Sequence, residues 1–175
     1  MQTQRDVLYL DTQQAPLPLA MREAYLGDLQ SWVIAMCRAA ARRGAAADRC
    51  TVGLIDALYG RGGSEVDILR WRSIGPHANL RREFGLSDDA VSILLLVTAP
   101  RLWGALAHVY AAIRLPTAGV ISQFLLATLM DSRTAVLTEL AREAPLVRHG
   151  LVSIRPTGAI VASSTVVRQL AGTAA

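Results

Sequence analysis

Apolar positions recur every three or four residues along most of this chain, and the recurrence changes only near its end. Leu26, Leu29, Val33, Met36, Cys37 and Ala40 form one stripe, which predicts a long helix over about 19–43. Tyr25 and Trp32 flank the stripe. Arg38, Arg42 and Arg43 gather where the helix dipole is negative, and Gly44 suits a stop. That cluster reads as a solvated helix end, with a docking site for an acidic partner as the sharper alternative. Asp48 opens a second, shorter helix whose buried side is Val52, Leu54, Ile55 and Leu58. The run Gly60-Arg61-Gly62-Gly63-Ser64 then breaks the chain. It lacks the spacing and the lysine of a phosphate-binding loop, so it reads as a flexible turn and a subdomain boundary.

Val66, Ile68, Leu69 and Trp71 predict a helical or extended piece that docks on the main domain, and 77–84 a short helix closed by Gly85. Phe84 is expected to anchor in the core, with Arg81 and Arg82 exposed. Ser87 suits a helix cap and Asp88 and Asp89 its positive end. The next helix is apolar nearly all round, from Val91 to Val97, which places it centrally. Residues 90–113 are apolar for long enough to cross a bilayer. Arg101 and His108 interrupt the run, and Pro100 can break a helix there. An arginine near the centre of a span costs roughly 2.5–3.5 kcal/mol. Two packed helices, the second over about 101–113, are therefore expected, with no membrane span.

Pro116 opens a third helix in this group, with Val120, Ile121, Phe124, Leu125 and Leu129 as its stripe. Asp131 or Ser132 caps a fourth, packed through Ala135, Val136, Leu137 and Leu140. The pattern then changes. Residues 151–154 and 159–161 read as two short strands joined by a turn at Pro156-Thr157-Gly158. Residues 165–170 close the chain. The expected fold is mainly α: a helical N-terminal subdomain, residues 1–64, packed on a winged-helix-like domain, residues 65–175, with a C-terminal β-hairpin. In that arrangement the helices over 117–129 and 132–143 are the paired ones and the hairpin is the wing.

Composition narrows the chemistry. All eighteen basic residues are arginine, against fourteen acidic ones, for a net charge of +4. No lysine is available as a Schiff-base former or phosphate clamp. Cys37 and Cys50 lack partners at metal-ligand spacing, so no zinc site, other metal or cofactor is expected. Nothing secretory precedes them, which leads to the expectation of a cytoplasmic protein with reduced thiols. His77, His108 and His149 are widely spaced, and no catalytic constellation is visible.

Three stretches carry a resemblance: Phe84-Gly85-Leu86-Ser87 with Ile93-Leu94-Leu95-Leu96; Leu115-Pro116-Thr117-Ala118-Gly119-Val120; and Ala144-Pro145-Leu146-Val147-Arg148-His149-Gly150-Leu151-Val152. Together they resemble the N-terminal winged-helix-like region that precedes the ATPase module in a family of bacterial AAA+ ATPases, some of them associated with contractile injection systems. The resemblance covers roughly residues 65–170. Walker A and Walker B motifs of such proteins are absent from these 175 residues. It implies a non-catalytic domain that recognises a substrate or adaptor protein, or positions a downstream ATPase module. Pro116 and Gly119 would let the third helix start close to its neighbour. Pro145 would end the fourth helix and send the chain extended. Gly150 would give a tight entry to the first strand.

DNA binding is the alternative, since a winged helix can place its second paired helix in the major groove. The charges disfavour it. Residues 132–143 carry Arg133 and Arg142 but also Glu139 and Glu143, and the wing offers only Arg155 near its tip. Candidate interaction residues are Arg148, His149, Arg133, Arg155, Trp32 and Trp71, with apolar patches expected around Tyr25, Trp32, Trp71 and Trp103.

Overall fold

The axis of the fold is a helix with almost no polar side. In a computed structural model describing residues 17–44, 49–61, 68–113 and 121–172, helix α4 spans Asp88–Leu102. Nine of its residues are buried, from Ala90 through Ala99. Such a helix must be covered on every side. It packs against the long α1 (Leu19–Arg43), α5 (Ala105–Ile113), α7 (Arg133–Glu139), α8 (Pro145–Arg148), α9 (Ser164–Ala171) and the second hairpin strand. The remaining helices are α2 (Arg49–Tyr59), α3 (Pro76–Phe84) and α6 (Gln123–Met130), with a 3-10 turn at Ile68–Trp71.

Four helix starts share a single local device. Ser87, Ser122, Ser132 and Ser163 each accept a hydrogen bond from the amide three residues on, at Ala90, Leu125, Ala135 and Val166. A serine in this position satisfies a donor that the helix itself cannot. Helix ends use arginines from elsewhere in the chain. Arg22 donates to the Gly172 carbonyl beyond α9 at 2.9 Å. Arg38 donates to the Gly60 carbonyl beyond α2 and pairs with Asp56 at 3.2 Å. Arg43 donates to the carbonyls of Thr128 at 2.8 Å and Leu129 at 3.2 Å, in the last turn of α6. All three belong to α1, which thus fixes the ends of three other helices. The two arginines Arg38 and Arg43 are therefore occupied internally, not free for an acidic partner; Arg42 alone of that cluster is exposed with no partner among the described residues.

The hairpin pairs β1 (Val152–Ile154) with β2 (Ile160–Ala162), antiparallel, with Ser153 opposite Val161. Gly158 supplies the positive φ of its turn, and Gly150 the tight entry before β1. The outer edge of β2 is not bare: Ile160 N–H donates to the Ile121 carbonyl at 2.8 Å and Arg101 donates to the Ala162 carbonyl at 3.0 Å.

The mainly helical class and the C-terminal hairpin match the expectation from periodicity. The expected boundary between residues 64 and 65 lies outside the described residues. One hydrophobic cluster includes Tyr25, Leu29 and Val33 of α1 together with Leu94, Leu126 and Leu170.

Several details differ. The break between the two central helices falls at Trp103-Gly104, not at Pro100, which sits inside the last turn of α4. Tyr110 supplies the reason: its hydroxyl donates to the Leu96 carbonyl at 2.8 Å, the group that the missing Pro100 N–H leaves without its helical partner. Helix α6 begins at Gln123 because Ser122 caps it; the start expected at Pro116 lies outside the described residues. Asp131 ends α6 in a left-handed conformation, and Ser132, not Asp131, caps α7. Pro145 does not send the chain extended. It is the first residue of α8, where a missing N–H costs nothing. Leu58, Phe124 and Leu137 are exposed, not buried in their expected stripes. Phe84 is half-buried against the core.

Candidate functional site

Two of the aromatic residues expected on outer patches lie inside. Tyr25 is fully buried and Trp71 is 5% exposed. Their rings meet edge to face with centroids 5.4 Å apart. The Trp71 indole N–H donates to an Asp28 carboxylate oxygen at 2.8 Å, and the Tyr25 hydroxyl lies 3.0 Å from Nδ1 of His77. Gly75 makes this closeness possible: a Cβ there would stand 2.9 Å from the Trp71 carbonyl oxygen and 3.2 Å from the Tyr25 ring. Burial first, and the nearby Arg81 charge second, bring the His77 imidazole down to about 4. It is neutral at ordinary pH, and Nδ1 is the natural acceptor for the Tyr25 hydroxyl. This node ties α1 to the 3-10 turn and α3. Tyr25, Trp71 and His77 are all buried, so the node is a buried polar tie. Trp32 and Trp103 are half-buried and packed on the core.

Arg148 and His149 close α8. The Arg148 guanidinium is 3.2 Å from Nε2 of His149, and the His149 ring lies 5.2 Å from that of Phe84. The ring contact joins the ends of α3 and α8. Arg148 is exposed and His149 half-buried. The histidine of this segment thus has a packing role, with a guanidinium left at the surface.

The side chains of Arg133 and Arg155 are exposed and without partners among the described residues. Arg133 is the first residue of α7 and Arg155 leads from β1 into the hairpin turn. The acidic groups around α7 are engaged: Asp131 pairs with Arg43 at 3.5 Å, and Glu139 accepts from the Ser87 hydroxyl at 2.5 Å. The same region exposes apolar side chains, Leu137 of α7 at 47% and Phe124 of α6 at 56%. Helices α6 and α7 pack against each other, and Leu137 stands one turn beyond Arg133 on the same side of α7. The pair of helices therefore exposes two large apolar side chains, one on each helix. Sequence periodicity put Phe124 and Leu137 into buried stripes and so missed them. The serines at 122 and 132, which set the true helix starts, were the available signal.

Among the described residues, no three His, Cys, Asp or Glu side chains group as a metal site. None of the described helices is long and apolar enough to cross a membrane. Cys37 is buried, its thiol pushed up to about 12 by burial, and Cys50 is exposed. No family model, curated protein or solved structure matches this chain.

Proposed function

We propose that this chain is a non-catalytic, winged-helix-like domain that binds a protein partner, serving an AAA+ ATPase by recognising a substrate or adaptor or by positioning the motor. The supporting observation is the exposure of Phe124 and Leu137 on the α6–α7 pair. Large apolar groups held at a surface by rigid helices are the usual anchors of a protein interface. In this reading α6 and α7 are the paired helices and the β1–β2 hairpin is the wing. The neutral character of the pair supports the same view. The two helices carry one basic residue, Arg133, and one acidic residue, Glu139, so phosphate contacts would be sparse.

The alternative is a DNA-binding winged helix, favoured by unpaired Arg133 and Arg155. One experiment separates the two. The full chain is immobilised and offered, in parallel, the proteins encoded beside it and a labelled DNA duplex at low salt. Retention of one such protein with an unretarded duplex supports the proposal. Salt-dependent duplex retention that weakens on changing Arg133 and Arg155 supports the alternative and sinks the first reading.

A further inference from the structure

A cavity of about 230 Å³ opens between the last turn of α4, α5, the start of α6 and β2. Val97, Tyr110, Leu125 and Ile160 form its buried floor. Pro100 and Arg101 stand at its rim, half-exposed and exposed. The floor asks for no polar ligand. Its one hydroxyl, on Tyr110, is already committed to the Leu96 carbonyl. The size selects the guest. A cavity of about 150 Å³ admits benzene, and sites for drug-sized molecules start near 300 Å³. This one takes a single leucine- or phenylalanine-sized group, not a nucleotide.

Arg101 adds a second requirement. One of its nitrogens donates to the Ala162 carbonyl, which holds the side chain against β2 at the cavity edge. No carboxylate pairs with it among the described residues. Its remaining N–H groups match the two oxygens of a carboxylate. An apolar group and a carboxylate on one carbon skeleton, separated by a bond or two, describe the last residue of a polypeptide. We infer that this cavity captures the C-terminal residue of a partner protein, its apolar side chain inside and its carboxylate on Arg101. The inference rests on the protein-binding reading and names the partner's recognised end.

The test uses the isotope-labelled full chain and two probes: a short N-acetylated peptide ending in leucine with a free carboxylate, and the same peptide as its C-terminal amide. Saturable shifts of the Ala111, Leu125 and Ile160 amides are expected with the acid. The amide should bind about tenfold more weakly, a loss of about 1.4 kcal/mol. Arg101→Gln should weaken the acid to the level of the amide, and Ala111→Leu should block both by filling the cavity. Equal binding of acid and amide would overturn the role of Arg101. Absence of shifts with either probe would overturn the site. Failure here with continued protein retention through Leu137 would leave the proposed function standing; peptide capture without such retention would do the reverse.

Discussion

The Tyr110 hydroxyl donates to the Leu96 carbonyl at 2.8 Å, across the interface of α5 and α4. Pro100 creates the need for it, because position 100 is the one whose N–H would normally bond that carbonyl. The bond thus lets α4 run through a proline to Leu102 and ties α5 to it. Tyr110 is 3% exposed, and burial pushes its phenol well above the usual range. Tyr110→Phe should cost about 1–3 kcal/mol, since a buried carbonyl loses its donor. In a Pro100→Ala background the helix regains its own donor, and the same change should cost markedly less. A double-mutant cycle from urea unfolding measures the coupling. Equal costs in both backgrounds would refute the compensation.

Arg43 closes the end of α6 from the end of α1, through two carbonyls and Asp131. Arg43→Met keeps the stem and removes the donors. A loss of about 0.5–1.5 kcal/mol is expected for partly exposed bonds of this kind. Arg43→Lys should recover little, because one ammonium cannot match the guanidinium fork. Full rescue by lysine in a thermal melt would contradict the capping role.

Gly75 lies where the 3-10 turn meets Tyr25, and there is no room for a side chain. Gly75→Ala should destabilise by about 1–3 kcal/mol, the range for forced overpacking. The change should also alter the near-ultraviolet signal of Trp71. An unchanged melting temperature would show that the contact relaxes without cost.

His77 makes stability depend on pH in a defined direction. Its folded value is about 4, below the usual 6.5, so the unfolded chain binds the proton more readily. The stabilisation from neutral His77 is complete above pH 6.5. It declines as pH falls from 6.5 towards 4 and changes no further below that. Urea midpoints at pH 7 and pH 5 should differ, and the difference should shrink in His77→Gln. A variant with the same pH slope as the parent would assign the slope to other groups.

Much of the fold was legible from residue order. The α1 stripe, the all-round apolar α4, the Ser87 cap and the hairpin turn at Gly158 are local signals, and each had its expected effect. The arginines were not legible in this way. Arg22, Arg38, Arg43 and Arg101 find their carbonyls far along the chain, at Gly172, Gly60, Thr128 and Ala162, pairings that spacing does not encode. Tyr25 reads as an aromatic flanking the α1 stripe because its burial depends on Trp71, Gly75 and His77, all remote from α1 in sequence. Pro145 misled for a different reason: proline both ends one helix and starts the next, and only the tertiary position of α8 decides.

The α6–α7 surface is the one proposed to engage protein. The most direct measurement is retention of a neighbouring gene product by the immobilised chain, compared with a Phe124→Ser, Leu137→Ser double variant whose unchanged melt shows that it still folds. Retention by the parent chain is expected, with a loss of at least tenfold in the variant, equal to about 1.4 kcal/mol. Undiminished retention by the folded variant, or no retention by the parent, would contradict the claim.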